Sequence, residues 1–435
     1  MMLRRFSQRK IVQTIQRLPQ RLWRSLAEYR FFAYLAIVGP GIIAANAGND
    51  AGGIATYSSV GAGYGYTLLW TFIPMTISLI VVQEMCMRMG VVTGQGLADL
   101  IREHFGVRWT AFVMLSLLVA NTGVIISEFV GIGQAAELLG VPRYLMIPLS
   151  GAFIWWLVVK GSARRVETVF MAMSLIFFTY VVSAFIAKPD WSEVATNFVK
   201  PTFSLETGYL FTVMALIGTT IAPFMQLYVQ SAAVEKGMDK DELAVARVDV
   251  IVGMTFADII AAFIVICTAA TLYSNGITHI DSAATAAESL APIAGDYAKY
   301  LFAFGLFGAS MLAMGVVPLA TAYSLSEALG FEKGLSRTFR EAPIFLGIFT
   351  ALIVVGAIIA LIPGIPPITL LLVAQCVNGI LLPVLLIAIV KLANDPAIMG
   401  EHRNSRWFNV LAYLTTIVVS LLSLLLIGKT FADMF

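Results

Sequence analysis

Long apolar runs separated by short polar stretches recur along nearly the whole chain. Eleven of them are long enough to cross a bilayer, at about 33–58, 66–88, 109–137, 143–160, 166–187, 207–230, 248–274, 297–325, 343–362, 367–391 and 408–429. Two of these runs keep their apolar character but not the composition of a continuous helix. Residues 39–66, GPGIIAANAGNDAGGIATYSSVGAGYGY, carry Asn46, Asn49, Asp50 and repeated glycines. Gly costs about 1 kcal/mol against Ala in a helix interior, and a carboxylate at bilayer depth costs at least about 2.5 kcal/mol. The pattern therefore predicts a helix unwound at mid-membrane, with Asp50 and freed backbone carbonyls facing a cavity.

The second interruption lies in residues 211–230, FTVMALIGTTIAPFMQLYVQ, where Gly218, Thr219, Thr220 and Pro223 break the run. Pro223 cannot donate the hydrogen bond that a helix interior requires. The two breaks, at 46–53 and 218–223, fall at the same relative place in two halves of the chain. Paired interruptions of this kind point to a transport site at the interface of inverted repeats. The first five spans form one unit (33–187). Because five is odd, the second unit (207–391) enters the membrane from the opposite side. The last span (408–429) is extra, and residues 1–32 form a basic tail.

The charges fix an expected orientation. The tail before the first span carries Arg4, Arg5, Arg9, Lys10, Arg17, Arg21, Arg24 and Arg30, and the alternate connections carry groups such as Lys160, Arg164, Arg165 or Lys333, Arg337, Arg340. Of 28 Lys and Arg, all but Arg143, Lys188, Lys200, Lys299 and Lys429 fall on one side. That bias places the N-terminus in the cytoplasm and the C-terminus outside, in a multi-pass plasma-membrane protein. A composition of 59% hydrophobic and 12% charged residues excludes a water-soluble globular domain. The three cysteines, Cys86, Cys267 and Cys376, lie within spans without CxxC spacing, so neither a disulfide framework nor a soft-metal cluster is implied. The net charge of +2 does not suggest nucleic acid.

Motifs for chemistry are lacking. The chain contains no Walker sequence, HExxH or GxSxG, and its three His residues, His104, His279 and His402, sit in loops. The expectation is a transporter, not an enzyme, without a cofactor or obligate protein partner. Other polar groups within spans are Glu84, spaced to pair with Arg88, Asn121, Thr122, Ser127 and Glu128 in the third span, Asp258 in the seventh, and Gln375 and Asn378 in the tenth. The glycines around Gly61 are read as helix packing.

These residues match a known frame. GPGIIAANAGNDAGGIATYSSVGAGYGY resembles the first helix of the natural resistance-associated macrophage protein (NRAMP) family, which reads GPG, an Asp-Pro-Gly-Asn box and a Gly-Tyr-Gly-like end. GTTIAPFMQLYVQSAAVEKG resembles that family's sixth helix. The resemblance implies an all-α membrane fold of eleven helices, built as two inverted five-helix repeats in a LeuT-like arrangement with helices 1 and 6 unwound.

The departures from that frame bear on the metal. The carboxylate is kept as Asp50, but Gly53 stands where the family has its amide ligand and Ala222 where it has a Met. Gln230 replaces a His, and Ile125 replaces an Asp three residues before Glu128. This combination resembles the branch of NRAMP-related magnesium transporters. A thioether favours softer transition metals, whereas carboxylate, hydroxyl, carbonyl and water oxygens suit Mg2+ and Mn2+, and a larger cavity suits an ion that keeps part of its hydration. The implied site is Asp50 as charged ligand, with the backbone around Ala47 and Thr219, the Thr220 hydroxyl and Gln375 as direct or water-mediated partners, and Gly53 and Ala222 as positions vacated of ligands. Glu128 is the remnant of a thinned proton path. The expected function is import of Mg2+ or Mn2+ by alternating access without proton coupling. The alternatives are a proton-coupled Mn2+/Fe2+ importer and, on the same architecture, a sodium-coupled symporter of an organic solute.

Overall fold

The computed structural model describes residues 40–160, 169, 178–288, 298–335, 337–364 and 366–434. The basic tail, the start of the first span and most of the fifth span lie outside the described residues. The first span consists of α1 (Pro40–Ala47) and α2 (Ala51–Tyr64), separated by residues 48–50. Next come α3 (Phe72–Thr93), α4 (Leu97–Leu138), α5 (Arg143–Lys160) and α6 (Phe178–Ile186). The sixth span divides into α8 (Thr207–Thr220) and α9 (Pro223–Lys236), preceded by a short helix, α7 (Trp191–Val199). The rest is α10 (Leu243–Thr271), α11 (Ala283–Ala287), α12 (Ala298–Leu329), α13 (Pro343–Ala360), α14 (Pro367–Asn394) and α15 (Arg406–Met434).

Eight helical segments among the described residues are long and apolar enough to cross a membrane. They correspond to the second, third, sixth to eighth and ninth to eleventh predicted spans. The first is divided by its break: α2 has 14 residues, too short to span alone, and α1 is described from Pro40 onward. The fourth predicted span, 143–160, is a helix with those same bounds.

Outward faces are apolar, as a bilayer requires: Trp407, Leu424, Phe304 and Leu115 are among the exposed large side chains. Close helix contacts rest on glycines. A Cβ on Gly61 of α2 would stand 2.0 Å from Thr268 Oγ1 and 2.5 Å from Val265 O of α10, and one on Gly253 of α10 would stand 2.9 Å from the Ile42 backbone of α1. The Gly61 packing agrees with the sequence reading. Two elements were not anticipated. α4 begins at Leu97, upstream of the predicted span, and bends at Gly106, whose φ of 75° lies in the left-handed region that favours glycine. α7 forms in a connection read as loop, its start capped by Asp190, which accepts from the Ser192 and Glu193 N–H groups.

The basic end of the bundle is tied by two ionic networks. Glu84 accepts from Arg88 Nε at 3.0 Å, as its spacing predicts, and from Arg247 Nε of α10 at 2.7 Å, while Arg88 also donates to Asn404 and to the His402 carbonyl. The second network is centred on Glu327, which is buried near the end of α12. It accepts from Ser231 Oγ of α9 at 2.7 Å and from Ala98 N at the start of α4 at 3.3 Å, and it pairs with Lys333 Nζ at 3.1 Å. Lys333 in turn reaches Asp99 Oδ2 at 2.7 Å. Gly96 has no room for a side chain, because a Cβ there would lie 2.0 Å from the Glu327 carboxyl carbon.

Candidate metal-transport site

The two helix breaks supply the site. At the first, α1 closes with Gly48 N donating to Ala44 O and Ala45 O, and Asn49 N to Asn46 O. Asp50 follows in extended conformation, with φ −70° and ψ −176°, and acts as the N-cap of α2: its Oδ1 accepts from Gly53 N at 2.5 Å. At the second, α8 ends at Thr220, Ala222 is extended, and Pro223 opens α9.

A break exposes two kinds of helix end, N-termini that favour anions and C-termini that favour cations. Here the N-terminal donors are largely occupied or missing. Ala51 N donates to Glu128 Oε2 of α4 at 3.1 Å, Gly53 N donates to Asp50, and Pro223 has no N–H. The C-terminal carbonyls are left freer. The helical partner of Ala47 O would be Ala51 N, which goes to Glu128, and the partner of Thr219 O would be the nitrogen of residue 223, a proline.

Side chains from α8 and α14 close around this point. Thr219 Oγ1 donates to Gly48 O at 3.3 Å, and the Thr220 hydroxyl lies 3.4 Å from Tyr57 OH. Gln375 Nε2 of α14 donates to both Asp50 oxygens, at 3.0 and 3.1 Å, and its Oε1 accepts from Asn378 Nδ2 at 3.0 Å. Asp50, Gln375, Asn378 and Glu128 are all essentially inaccessible. Two glycines make the insertion of Gln375 feasible: a Cβ on Gly52 would stand 2.2 Å from Gln375 Nε2, and one on Gly218 would stand 1.9 Å from Gln375 O.

The structure thus gathers all the candidates named from sequence at the two breaks: Asp50, Ala47, Gly53, Thr219, Thr220, Ala222, Gln375 and Glu128. Gly53 contributes an amide donor to Asp50 and has no space for a larger residue, since a Cβ would stand 2.8 Å from Gly48 O and 2.9 Å from Thr219 Oγ1. Four participants were not singled out for the site: Asn378, Gly52, Tyr57 and Met225. A Cβ on Gly48 would be 3.2 Å from Met225 Sδ, so a thioether three residues after Ala222 packs on the break. Asn378 was legible in principle, lying at i+3 from Gln375 and hence on the same helix face. Asn49 points elsewhere and donates to Ala257 O of α10 at 3.1 Å. Asp258 takes Thr76 Oγ1 at 2.6 Å and lines an apolar cavity of about 410 Å³ with Phe72, Trp191, Phe198 and Phe263. Among the described residues no group of three or more His, Cys, Asp or Glu converges; the carboxylates at the break are Asp50 and, against Ala51 N, Glu128.

Residues 41–429 match the family model described as natural resistance-associated macrophage protein-like. The chain belongs to that family. Curated NRAMP relatives include the divalent metal cation transporter MntH of Deinococcus radiodurans, 26% identical over 398 residues and covering 88% of each chain. MntH of Bacillus subtilis is 26% identical over 416 residues, covering 92% of this chain and 94% of its own. Among solved structures, a manganese transporter of Eremococcus coleocola superposes with a TM-score of 0.73 at 19% identity, over 92% of this chain and 87% of that one. Mhp1, a nucleobase-cation-symport-1 family transporter in a closed conformation, gives 0.57 at 14% identity over 92% and 93% of the two chains. The NRAMP chain described here therefore has a LeuT-like fold and is a multi-pass membrane transporter, not an enzyme.

Proposed function

We propose that this protein imports divalent metal ions, Mg2+ and Mn2+ with the ion partly hydrated, by alternating access around the two helix breaks. The observation that carries this is the arrangement of the helix ends. The donors that would attract an anionic solute are engaged by Glu128 and Asp50 or removed by Pro223, while carbonyl ends and one carboxylate face the break. That arrangement disfavours a carboxylate-bearing substrate, which Asp50 would also repel, and so argues against the organic-solute symporter. The curated relatives named divalent metal cation transporters support the same substrate class. Asp50 is the charged ligand in this reading, and the Ala47 and Thr219 carbonyls, the Thr220 hydroxyl and Gln375 are its partners. Neutral oxygens beside a single carboxylate suit an ion that dehydrates reluctantly. The molecule is eleven spans in two inverted five-helix repeats, in the plasma membrane with its N-terminus inside and its C-terminus outside.

Transport is uncoupled in this reading. An inside-negative potential of 100 mV favours inward movement of a divalent cation by about 4.6 kcal/mol, twice the value for one charge. A second reading, proton-coupled import of transition metals, is favoured by one contact: Glu128 is buried against the first residue of α2, directly after Asp50. Proteoliposomes carrying a pH-sensitive dye inside separate the two. Mn2+ or Mg2+ uptake that leaves internal pH unchanged is expected. Metal-dependent acidification would reassign Glu128 to a proton path, and the absence of uptake of either ion would overturn the metal reading itself.

A further inference from the structure

The amide of Gln375 faces Asp50 the wrong way round for a cation. A glutamine serves a metal through Oε1, yet here Nε2 is directed at both Asp50 oxygens, at 3.0 and 3.1 Å. The orientation is dictated by the partners, because an ionised carboxylate has only acceptors to offer. The other end of the amide is held as well: Oε1 accepts from Asn378 Nδ2 at 3.0 Å. Asn378 lies one turn further along α14, has no exposed surface, and leaves its own Oδ1 without a hydrogen-bond partner.

We propose that Asn378 is a positioning residue that locks Gln375 as a tethered competitor of the transported ion. In the empty site the Gln375 NH2 group occupies the Asp50 lone pairs that a divalent cation requires, and Asn378 keeps it there by engaging Oε1. Ion binding displaces Nε2 and turns the amide over, which presents Oε1 to the cation. Turning the amide breaks the hydrogen bond from Asn378 Nδ2 to Oε1, so Asn378 contributes to the empty state and not to the loaded one, and an incoming ion must displace that contribution to bind. Such a lock keeps both Asp50 oxygens hydrogen-bonded when no ion is present, which lowers the cost of carrying a bare carboxylate through the membrane while the empty form reorients.

This inference rests on the divalent-cation reading of the site, and the test separates the two. Mn2+ uptake into proteoliposomes is measured as a function of concentration for wild type, Asn378→Leu, Gln375→Ala and the double variant, with Asn378→Ser as a milder second probe of the lock. Removing the Asn378 donor weakens the competitor, so the half-saturating Mn2+ concentration should fall, by about fivefold for the net worth of one hydrogen bond of about 1 kcal/mol. The maximal rate should also fall, because the empty carrier reorients less readily. Gln375→Ala should raise half-saturation, and in that background Asn378→Leu should change nothing further, since Asn378 acts only through Gln375. A rise in half-saturation with both Asn378→Leu and Asn378→Ser would overturn the lock and make Asn378 a scaffold for the ligand. An undiminished Asn378→Leu effect without Gln375 would overturn it equally. Failure of wild type to take up either Mn2+ or Mg2+ is the separate result that removes the underlying reading.

Discussion

Replacing Asp50 by Asn separates the two tasks that the structure assigns to this side chain. As N-cap of α2 it accepts from Gly53 N, and Asn caps helices about as well as Asp. Asp50→Asn should therefore keep the break intact, at the cost of a turned Gln375 amide. Asp50→Ala would lose about 0.5–2 kcal/mol of capping. It would also leave buried donors unpaired on Gly53 and Gln375, each costing about 1–3 kcal/mol. The charge is a different matter. At an effective dielectric of about 20, unit charges 4 Å apart attract by about 4 kcal/mol, hence about 8 kcal/mol for a divalent ion. If desolvation offsets half of that, about 4 kcal/mol remains, roughly a thousandfold in affinity. The assay is thermal unfolding of the purified protein with and without Mn2+, alongside uptake. A ligand at 100 times its Kd stabilises the wild type by about 2.7 kcal/mol. Asp50→Asn should unfold near the wild-type temperature without metal, show no rise with Mn2+, and carry no Mn2+ into vesicles. A variant that is well folded and still shows both the Mn2+ shift and uptake would refute the placement of the ion at Asp50.

Two further outcomes are expected. Ala222→Met returns a thioether to the second break and should yield Cd2+ binding by titration calorimetry together with weaker Mg2+ uptake; unchanged Mg2+ transport with no Cd2+ binding would count against the hard-ligand reading. Pairing it with Gly53→Asn would confound the result, since no side chain fits at 53 beside Gly48 O. Gly61→Ala drives a methyl into Thr268 and the Val265 carbonyl, and should lower stability by about 1–3 kcal/mol, read as a lower unfolding temperature with Mn2+ affinity little changed.

The breaks were legible because they are written in residues with few other uses inside an apolar run. Pro223 removes a donor, and Asp50 is expensive there without a role, so the positions 46–53 and 218–223 bracket the observed interruptions at 48–50 and 221–222. Asp50 was recognised as a charge but not as a cap, since capping depends on the extended conformation that the break gives it. The α7 helix was missed because a nine-residue amphipathic segment carries too few turns for its period to stand out from a loop. Gln375 and Asn378 were each visible as amides in a span, but sequence does not tell which atom of one faces which atom of the other. Met225 escaped because the position that carries the family's thioether is Ala222, and a replacement one turn onward reaches the break only through the approach of α9 to Gly48.

The fastening at Glu327 bears on leakage. One carboxylate joins α12 to α9, to the first turn of α4 and to Lys333, with Gly96 pressed against it. Parting α12 from α9 breaks the Ser231 hydrogen bond, and parting α12 from α4 breaks the one from Ala98, each leaving a buried carboxylate with an unmet hydrogen bond. Both partings are disfavoured on that account. A carrier in a membrane held at a potential has little tolerance for a continuous water path, through which ions much commoner than its cargo would flow. A buried fastening of that kind raises the cost of each opening on its side, and so trades speed of opening for tightness of the seal.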